Sequence, residues 1–246
     1  GTDLGMIRTK AVPQADGSYR ITGTKIFITA GEHDLTENII HLVLAKLPDA
    51  PAGPKGISLF VVPRNAVDNE GDLTGELNGV SCGAVEHKMG IKGSATCVMN
   101  FDSAQGWLVG ELNHGLSNMF TMMNYERLSM GLQSNGLADS SYQTAADYAR
   151  ERIQGRSLTG PQQPESAADP ILVHPDVRRM LLTMRANIMA GRALSMYAAM
   201  QLDISRFHPD PKQRQQANRL VALLIPVAKA YCSDRGFEMC VMGQQV

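Results

Sequence analysis

Residues 1–112 carry short apolar runs separated by turn-forming residues. The runs are YRITGTKIFIT, NIIHLVLAKL, GISLFVVPR and SATCVMNFD, and they are rich in β-branched and aromatic residues. Asp16-Gly17 indicates a hairpin turn, because glycine adopts the positive φ that such turns need, and the prolines of PDAPAGPKG indicate a loop. No helical segment separates the runs, so the pattern predicts an antiparallel β-barrel or sandwich.

The period changes in residues 113–246, where apolar positions recur at helical spacing. The first helix is predicted from Leu116, and a second from Pro175, a residue type suited to the first helical turn. A third runs from about Gln213 to the end, with a kink expected at Pro226. Between the first two helices, GRSLTGPQQPESAADPILV indicates a long loop. The predicted fold class is α+β, with a β domain over 1–112 and an up-down helical bundle over 113–246.

Both ends of the chain are abrupt. The chain opens on GTDLGMIRTK, without an initiator Met, and closes on YCSDRGFEMCVMGQQV, which has the composition of a helix interior. A bundle that stops within its third helix would leave apolar faces uncovered. We therefore expect a fragment of a longer protein, with an incomplete bundle.

The composition argues against three classes of protein: nucleic-acid binders, proteins stabilised by disulfides or zinc, and membrane-spanning proteins. The 23 basic and 24 acidic residues give a net charge of −1, whereas nucleic-acid binders usually carry a basic excess. The four cysteines form no C-x-x-C pair, which argues against a disulfide framework or zinc site and favours reduced thiols in the cytoplasm. The run NRLVALLIPVAKAY is too short to cross a bilayer.

Sequence motifs of common catalytic centres are absent. The chain contains no G-x-G-x-x-G, G-x-x-x-x-G-K-[ST], H-E-x-x-H or G-x-S-x-G, and its six histidines are scattered singly. The residues alone therefore predict an architecture, no metal site and no complete active site.

Four stretches, in order, resemble segments of the acyl-CoA dehydrogenase family, especially its larger bacterial branch. They are ADGSYRITGTKIFITAG, VEHKMGIKGSATCVMNFD, GWLVGELNHGLSNMFTMMNYERL and YARERIQGRSL, and the opening GTDLGMIRTKA is similar to the end of a further family segment. The resemblance implies an FAD-dependent enzyme of the bacterial cytoplasm that acts on acyl-CoA.

The resemblance assigns a flavin-facing role to one strand. Side chains alternate along a strand, so Phe27 and Thr29 are expected on one face and Ile26 and Ile28 on the other. In the family the first face contacts the flavin, with the aromatic ring against the isoalloxazine and the Thr29 hydroxyl near N5. Taken alone, the strand would instead favour Phe27 in a barrel core and Thr29 at its edge.

Other site residues are carried over in the same way. Arg152 corresponds to an arginine that contacts the FAD pyrophosphate across a subunit interface, and Gln245 to a further cofactor-binding position. Substrate-binding positions correspond to Thr2, Asn124 and Arg127. The alternative for each arginine is a solvated helix charge. RIQGR also departs from the family's more frequent R-x-x-F-G-[KR], which leaves the aromatic contact to adenine without a counterpart.

The implied reaction is α,β-dehydrogenation of an acyl-CoA thioester. A glutamate beyond Val246 would remove the α-proton while the β-hydride passes to FAD N5. No catalytic residue is therefore expected within the chain. The chain alone is expected to be inactive. Electrons would pass to an electron-transfer flavoprotein, and the parent would be a homodimer or homotetramer. The alternatives are an oxidase or monooxygenase of the same fold, and a non-catalytic binding or scaffold relative.

Overall fold

The computed structural model describes residues 3–68 and 70–246. The chain divides into two compact units, one reaching to Met122 and the other running from Met123 to Val246. The domain limits drawn from the sequence, 1–112 and 113–246, remain a prediction.

The first unit is a β-barrel. Its strands are β1 (Lys10–Pro13), β2 (Tyr19–Thr29), β3 (Ile40–Lys46), β4 (Ile57–Pro63), β5 (Asn65–Val67), β6 (Leu73–Leu77), β7 (Val80–Val85) and β8 (Thr96–Leu108). A six-stranded sheet has the order β2-β1-β3-β4-β8-β7, and an additional β2–β8 pairing closes it into a ring, while β5 and β6 form a separate pair. The predicted β-barrel domain is confirmed.

Strand pairing in the barrel is mostly antiparallel, as the run pattern predicts. The turn at Asp16-Gly17 joins β1 to β2, with Gly17 at a φ of +82° and the Gln14 N–H donating to the Ser18 carbonyl at 2.9 Å. One pairing differs from the prediction, because β1 and β3 meet in parallel where Lys10 lies opposite Lys46. Along the chain, β2 and the connection from residues 30 to 39 separate these two strands.

Alternation of side chains along the strands fills the barrel interior. Phe60 and Ile21 are fully buried there, and the ring centroids of Tyr19 and Phe60 lie 4.9 Å apart. Asn78 is buried beside this core and donates to the carbonyls of Pro63 and Gln105, both at 2.8 Å. The amide therefore fastens the end of β4 to β8.

The described part of the second unit consists of long helices and one ordered loop. The helices are α1 (Gly115–Glu151, which begins in the first unit), α2 (Pro175–Phe207) and α3 (Pro211–Gly243). Pro226 lies in the interior of α3, where it cannot donate a helical hydrogen bond. The helical prediction from the 3.6-residue period is confirmed. In residues 3–68 and 70–246, none of the helices has the length together with the hydropathy that a transmembrane span requires.

Buried positions on the helices alternate in steps of three and four residues. On α2 they include Met184, Ile188, Gly191, Ser195, Ala198 and Leu202, and on α3 Ala217, Val221, Ile225, Ala228, Cys232, Gly236 and Met239. This spacing is that of coiled-coil seams, in which apolar side chains interdigitate along nearly antiparallel helices. Leu128 and Ala138 of α1 pack into the same clusters.

The predicted long loop is present between α1 and α2, and it is folded around one carboxylate. Asp169 is fully buried, and its carboxylate accepts hydrogen bonds from the backbone N–H groups of Ser157, Gln162 and Gln163 at 2.8–2.9 Å. The Arg156 guanidinium lies 3.4 Å away. These bonds hold the pKa of Asp169 at about 2, the Ser157 N–H being the largest cause.

Candidate functional site

A β-bulge on β2 displays the residues assigned to the flavin. Lys25 pairs with Met99 while Ile28 pairs with Cys97, so β2 contains one residue more than β8 over this stretch. Phe27 takes a φ of +57°, a conformation that bulky residues rarely adopt and that costs about 1–3 kcal/mol. Such strain at a bulge points to a function for the displayed side chains.

The bulge changes which side chains reach solvent. Phe27 is 66% exposed, Thr29 is exposed, and Ile28 packs against the barrel core. The expectation that Ile26 shares the inner face with Ile28 is wrong, since Ile26 is 58% exposed. The extra residue interrupts the alternation of side chains along β2. Because Phe27 is exposed, the alternative interpretation that places it in the barrel core is also wrong.

The surroundings of the bulge hold it in place. The Lys25 ammonium donates to the Leu44 carbonyl at 2.7 Å, and burial lowers its pKa to about 8. The Ala30 N–H donates to the Ala95 carbonyl at 2.7 Å. At Gly31 a Cβ would come within 2.8 Å of the Met99 sulfur, so a side chain at this position would press against buried Met99 and Cys97 of β8.

The residues predicted to bind the other half of the cofactor lie at the same end of the helical unit. The carbonyl of Arg152, directly after α1, accepts a hydrogen bond from Ile171 N–H at 2.8 Å. Val246, the neighbour of Gln245, packs in the same apolar cluster as Ile171 and Ala149. The side chains of Arg152 and Gln245 are exposed. Among the described residues no carboxylate forms an ion pair with the Arg152 guanidinium.

The residues assigned to the substrate lie elsewhere on the chain. Asn124 and Arg127 are three positions apart on α1, share one face of the helix and are half-buried. The ring of Tyr125 beside them has the Arg206 guanidinium 4.7 Å from its centroid. Thr2 lies outside the described residues.

Sequence reasoning missed Asp169 and the bulge. A single Asp in a polar loop carries no local signal, because its importance comes from donors that the fold brings to it.

Within residues 3–68 and 70–246 no group of three or more His, Cys, Asp or Glu side chains could hold a metal ion.

Comparison with protein families gives two matches that divide the chain between them. Residues 1–104 match the model "Acyl-CoA dehydrogenase, middle domain" and residues 113–242 match "Acyl-CoA dehydrogenase, C-terminal domain".

Curated relatives align with nearly the whole chain. It is 48% identical over 246 residues to 3-methylmercaptopropionyl-CoA dehydrogenase of Ruegeria pomeroyi, covering 100% of the chain and 41% of the relative. It is 42% identical over 246 residues to the broad-specificity linear acyl-CoA dehydrogenase FadE5 of Mycobacterium tuberculosis, covering 96% of the chain and 40% of that protein. The chain thus spans about two fifths of the length of these relatives.

Solved structures share the fold. Caenorhabditis elegans ACDH-11 in complex with C11-CoA superposes with a TM-score of 0.81 at 23% identity, over 99% of this chain and 37% of that one. An acyl-CoA dehydrogenase complexed with FAD from Bacillus anthracis gives 0.68 at 24% identity, over 100% of this chain and 38% of that one.

Proposed function

Because the chain belongs to the acyl-CoA dehydrogenase family, we propose that the whole protein dehydrogenates an acyl-CoA thioester at its α,β bond with FAD as cofactor. The observation that carries the proposal is the bulge of β2, at which Phe27 and Thr29 are both exposed. An exposed aromatic ring at a strained backbone position has no role in the packing of the barrel, and it suits a planar ligand.

The described residues fit FAD in two places. Phe27 and Thr29 would hold the flavin ring by ring contact and by a hydrogen bond near N5, the atom at which bound FAD accepts the hydride. Arg152 would hold the pyrophosphate, since a guanidinium without a carboxylate partner can bind phosphate bidentately. Gln245, at the same end of the helical unit, would also bind the cofactor. In the assembly, Arg152 would contact the FAD of a partner subunit.

On the substrate side, Asn124 and Arg127 would contact the acyl-CoA, together with Thr2. We place the base that removes the α-proton outside the chain, after Val246, because the resemblance assigns no Asp or Glu within it to that role. The 246-residue chain alone is therefore expected to give no turnover, since general bases typically contribute ~10²–10⁴-fold to such reactions.

The reaction partners follow from the same proposal. The reduced cofactor would be reoxidised by an electron-transfer flavoprotein, and one solved neighbour carries that name in its description, at 24% identity. A homodimer or homotetramer in the bacterial cytoplasm would supply Arg152 to the neighbouring site. An acyl-CoA oxidase of the same fold is distinguished by rapid reoxidation in air, and a binding or scaffold relative by the lack of any reduction by acyl-CoA.

Replacement of a single hydroxyl tests the proposal. In the whole protein, Thr29→Val should slow flavin reduction by acyl-CoA about tenfold or more in anaerobic stopped-flow, since preorganised donors stabilise developing charge. Thr24→Val is the matched control, because Thr24 lies on the same strand just before the bulge and its hydroxyl donates to Asn100 at 2.9 Å. Equal reduction rates in the two variants would show that Thr29 has no role at N5, and a protein that purifies without FAD and does not bind it would overturn the proposed function.

A further inference from the structure

An open groove runs along the helical unit between the second half of α1 and the start of α2. Its volume is about 280 Å³, close to the lower end of the range for small-molecule sites. Tyr142 and Arg150 line it from α1, and Arg178, Leu182 and Arg185 from α2. None of these residues takes part in the function proposed above.

The groove combines positive charge with apolar surface. Arg150 is compensated by Asp147, whose carboxylate lies 2.6 Å from its guanidinium. Arg178 uses its Nε to donate to the Leu172 carbonyl at 2.8 Å, and the Arg185 guanidinium lies 5.7 Å from the Tyr142 ring centroid. Among the described residues no carboxylate pairs with Arg178 or Arg185. Two guanidinium groups that face one groove therefore remain uncompensated.

Between these charges the lining is aliphatic. Leu181 is buried at the floor, while Leu182 is 69% exposed although it lies in the groove. The Leu172 side chain, half-buried, closes the end beside Arg178. A bare inorganic anion would leave this apolar surface in water, and an uncharged hydrocarbon would leave the two guanidinium groups unmatched.

A neighbouring arginine that does not line the groove does have a carboxylate partner. Arg179, next to Arg178 in the sequence, forms a 2.7 Å ion pair with Asp176 one turn earlier and does not line the groove. The helix thus neutralises the arginine outside the groove and leaves the two inside it without a carboxylate.

We propose that this groove binds a small amphipathic oxyanion, which consists of a carboxylate or phosphate head and a short aliphatic portion. The Nη groups of Arg178 and the guanidinium of Arg185 bind the head, because guanidinium groups form paired, charge-assisted hydrogen bonds with such oxygens. The aliphatic portion covers Leu181 and Leu182. The site contains none of the FAD-binding residues proposed above, although Leu172 and Leu181 of its lining pack in the same apolar cluster as Val246.

Calorimetric titration of the whole protein tests the site. Hexanoate and hexyl phosphate are the two probes, and the tighter one identifies the head group. Hexanol tests the need for charge, while acetate and inorganic phosphate test the need for the aliphatic portion. We expect Arg178→Gln and Arg185→Gln each to weaken the binding of the better probe by about tenfold, as expected for loss of hydrogen bonds to a charged group. Arg179→Gln is the matched control and should bind as the parent chain does.

Several outcomes would overturn the proposal. The first is that neither probe binds. The second is that hexanol, acetate or inorganic phosphate binds as tightly as the better probe. The third is that Arg179→Gln loses as much affinity as Arg178→Gln and Arg185→Gln do. If Arg178→Gln unfolds because its bond to Leu172 is lost, Arg185→Gln alone decides, since Arg185 makes no such backbone bond in the described structure. Saturating FAD should leave the affinity unchanged, and competition between the two would refute a separate site.

Discussion

The carboxylate of Asp169 accepts a hydrogen bond of 2.9 Å from the backbone N–H of Ser157, a residue twelve positions earlier in the chain. The same carboxylate accepts from Gln162 and Gln163, at 2.9 and 2.8 Å. This buried side chain therefore adds three bonds to the backbone pairs that join the two ends of the loop, in which Gln154 N–H donates to the Asp169 carbonyl and Asp169 N–H to the Gly155 carbonyl, both at 2.9 Å.

Acid should release the loop. The folded pKa of Asp169 is about 2 and its ordinary value is 3.8, so its stabilising contribution is complete above pH 3.8 and is lost as the pH falls through 2. Amide exchange at Ser157, Gln162 and Gln163, followed by NMR and corrected for the intrinsic pH dependence, should accelerate over this interval.

In Asp169→Asn the same amides should exchange faster at neutral pH, by about tenfold or more, because an amide group cannot accept all of these bonds. Asp147→Asn serves as control, since Asp147 is 71% exposed and pairs only at the surface with Arg150. Unchanged protection in Asp169→Asn would show that the loop is held by other contacts.

Alkaline pH should stabilise the barrel through Lys25. Burial lowers the pKa of its ammonium to about 8 from the ordinary 10.5, so the unfolded chain binds the proton more tightly between these values and stability rises with pH across that window. Lys25→Met, which has no proton to lose, should lack this rise. Urea unfolding of both chains at pH 7.5 and 10 measures the difference, and parallel pH dependences would contradict the assignment.

Two glycines of the helical unit should respond oppositely to alanine. A Cβ at Gly236 would lie 2.8 Å from the backbone carbonyl oxygen of Ser134, so Gly236→Ala should destabilise the bundle by about 1–3 kcal/mol. A Cβ at Gly136 meets nothing within 4 Å, so Gly136→Ala should stabilise it by about 0.5–1 kcal/mol. Urea unfolding followed by circular dichroism at 222 nm distinguishes them, and equal shifts would show that the helices do not approach closely at Gly236.

Arg152→Ala should remove FAD from the whole protein without unfolding it. The side chain is exposed, and the backbone bonds of Arg152 to Tyr148 and Ile171 persist in alanine. Flavin absorbance after gel filtration measures the loss, and Arg219→Ala, an exposed arginine on α3, is the control. A variant that keeps its flavin would contradict this role of Arg152. A whole protein that is monomeric by light scattering and still holds FAD tightly would contradict the contact across subunits.

Sequence periodicity predicts the elements of this fold better than their irregularities. The Asp16-Gly17 turn and the helix from Pro175 follow from local chemistry, and both are present. The bulge at Phe27 does not, because one extra residue in a strand leaves the composition of the run unchanged. Its detection requires the partner strand, in which Met99 and Cys97 set the register.

Closure of the ring by β8 has a consequence for how the chain folds during synthesis. Tyr19 at the start of β2 pairs with Gly106 near the end of β8, so this edge of β2 stays open until the ribosome has made almost the whole first unit. At about 5–20 residues per second this interval lasts seconds, and an open strand edge invites pairing between nascent chains. Expression of N-terminal pieces that end before Thr96 should therefore give aggregates, whereas pieces that extend past Leu108 can close the barrel.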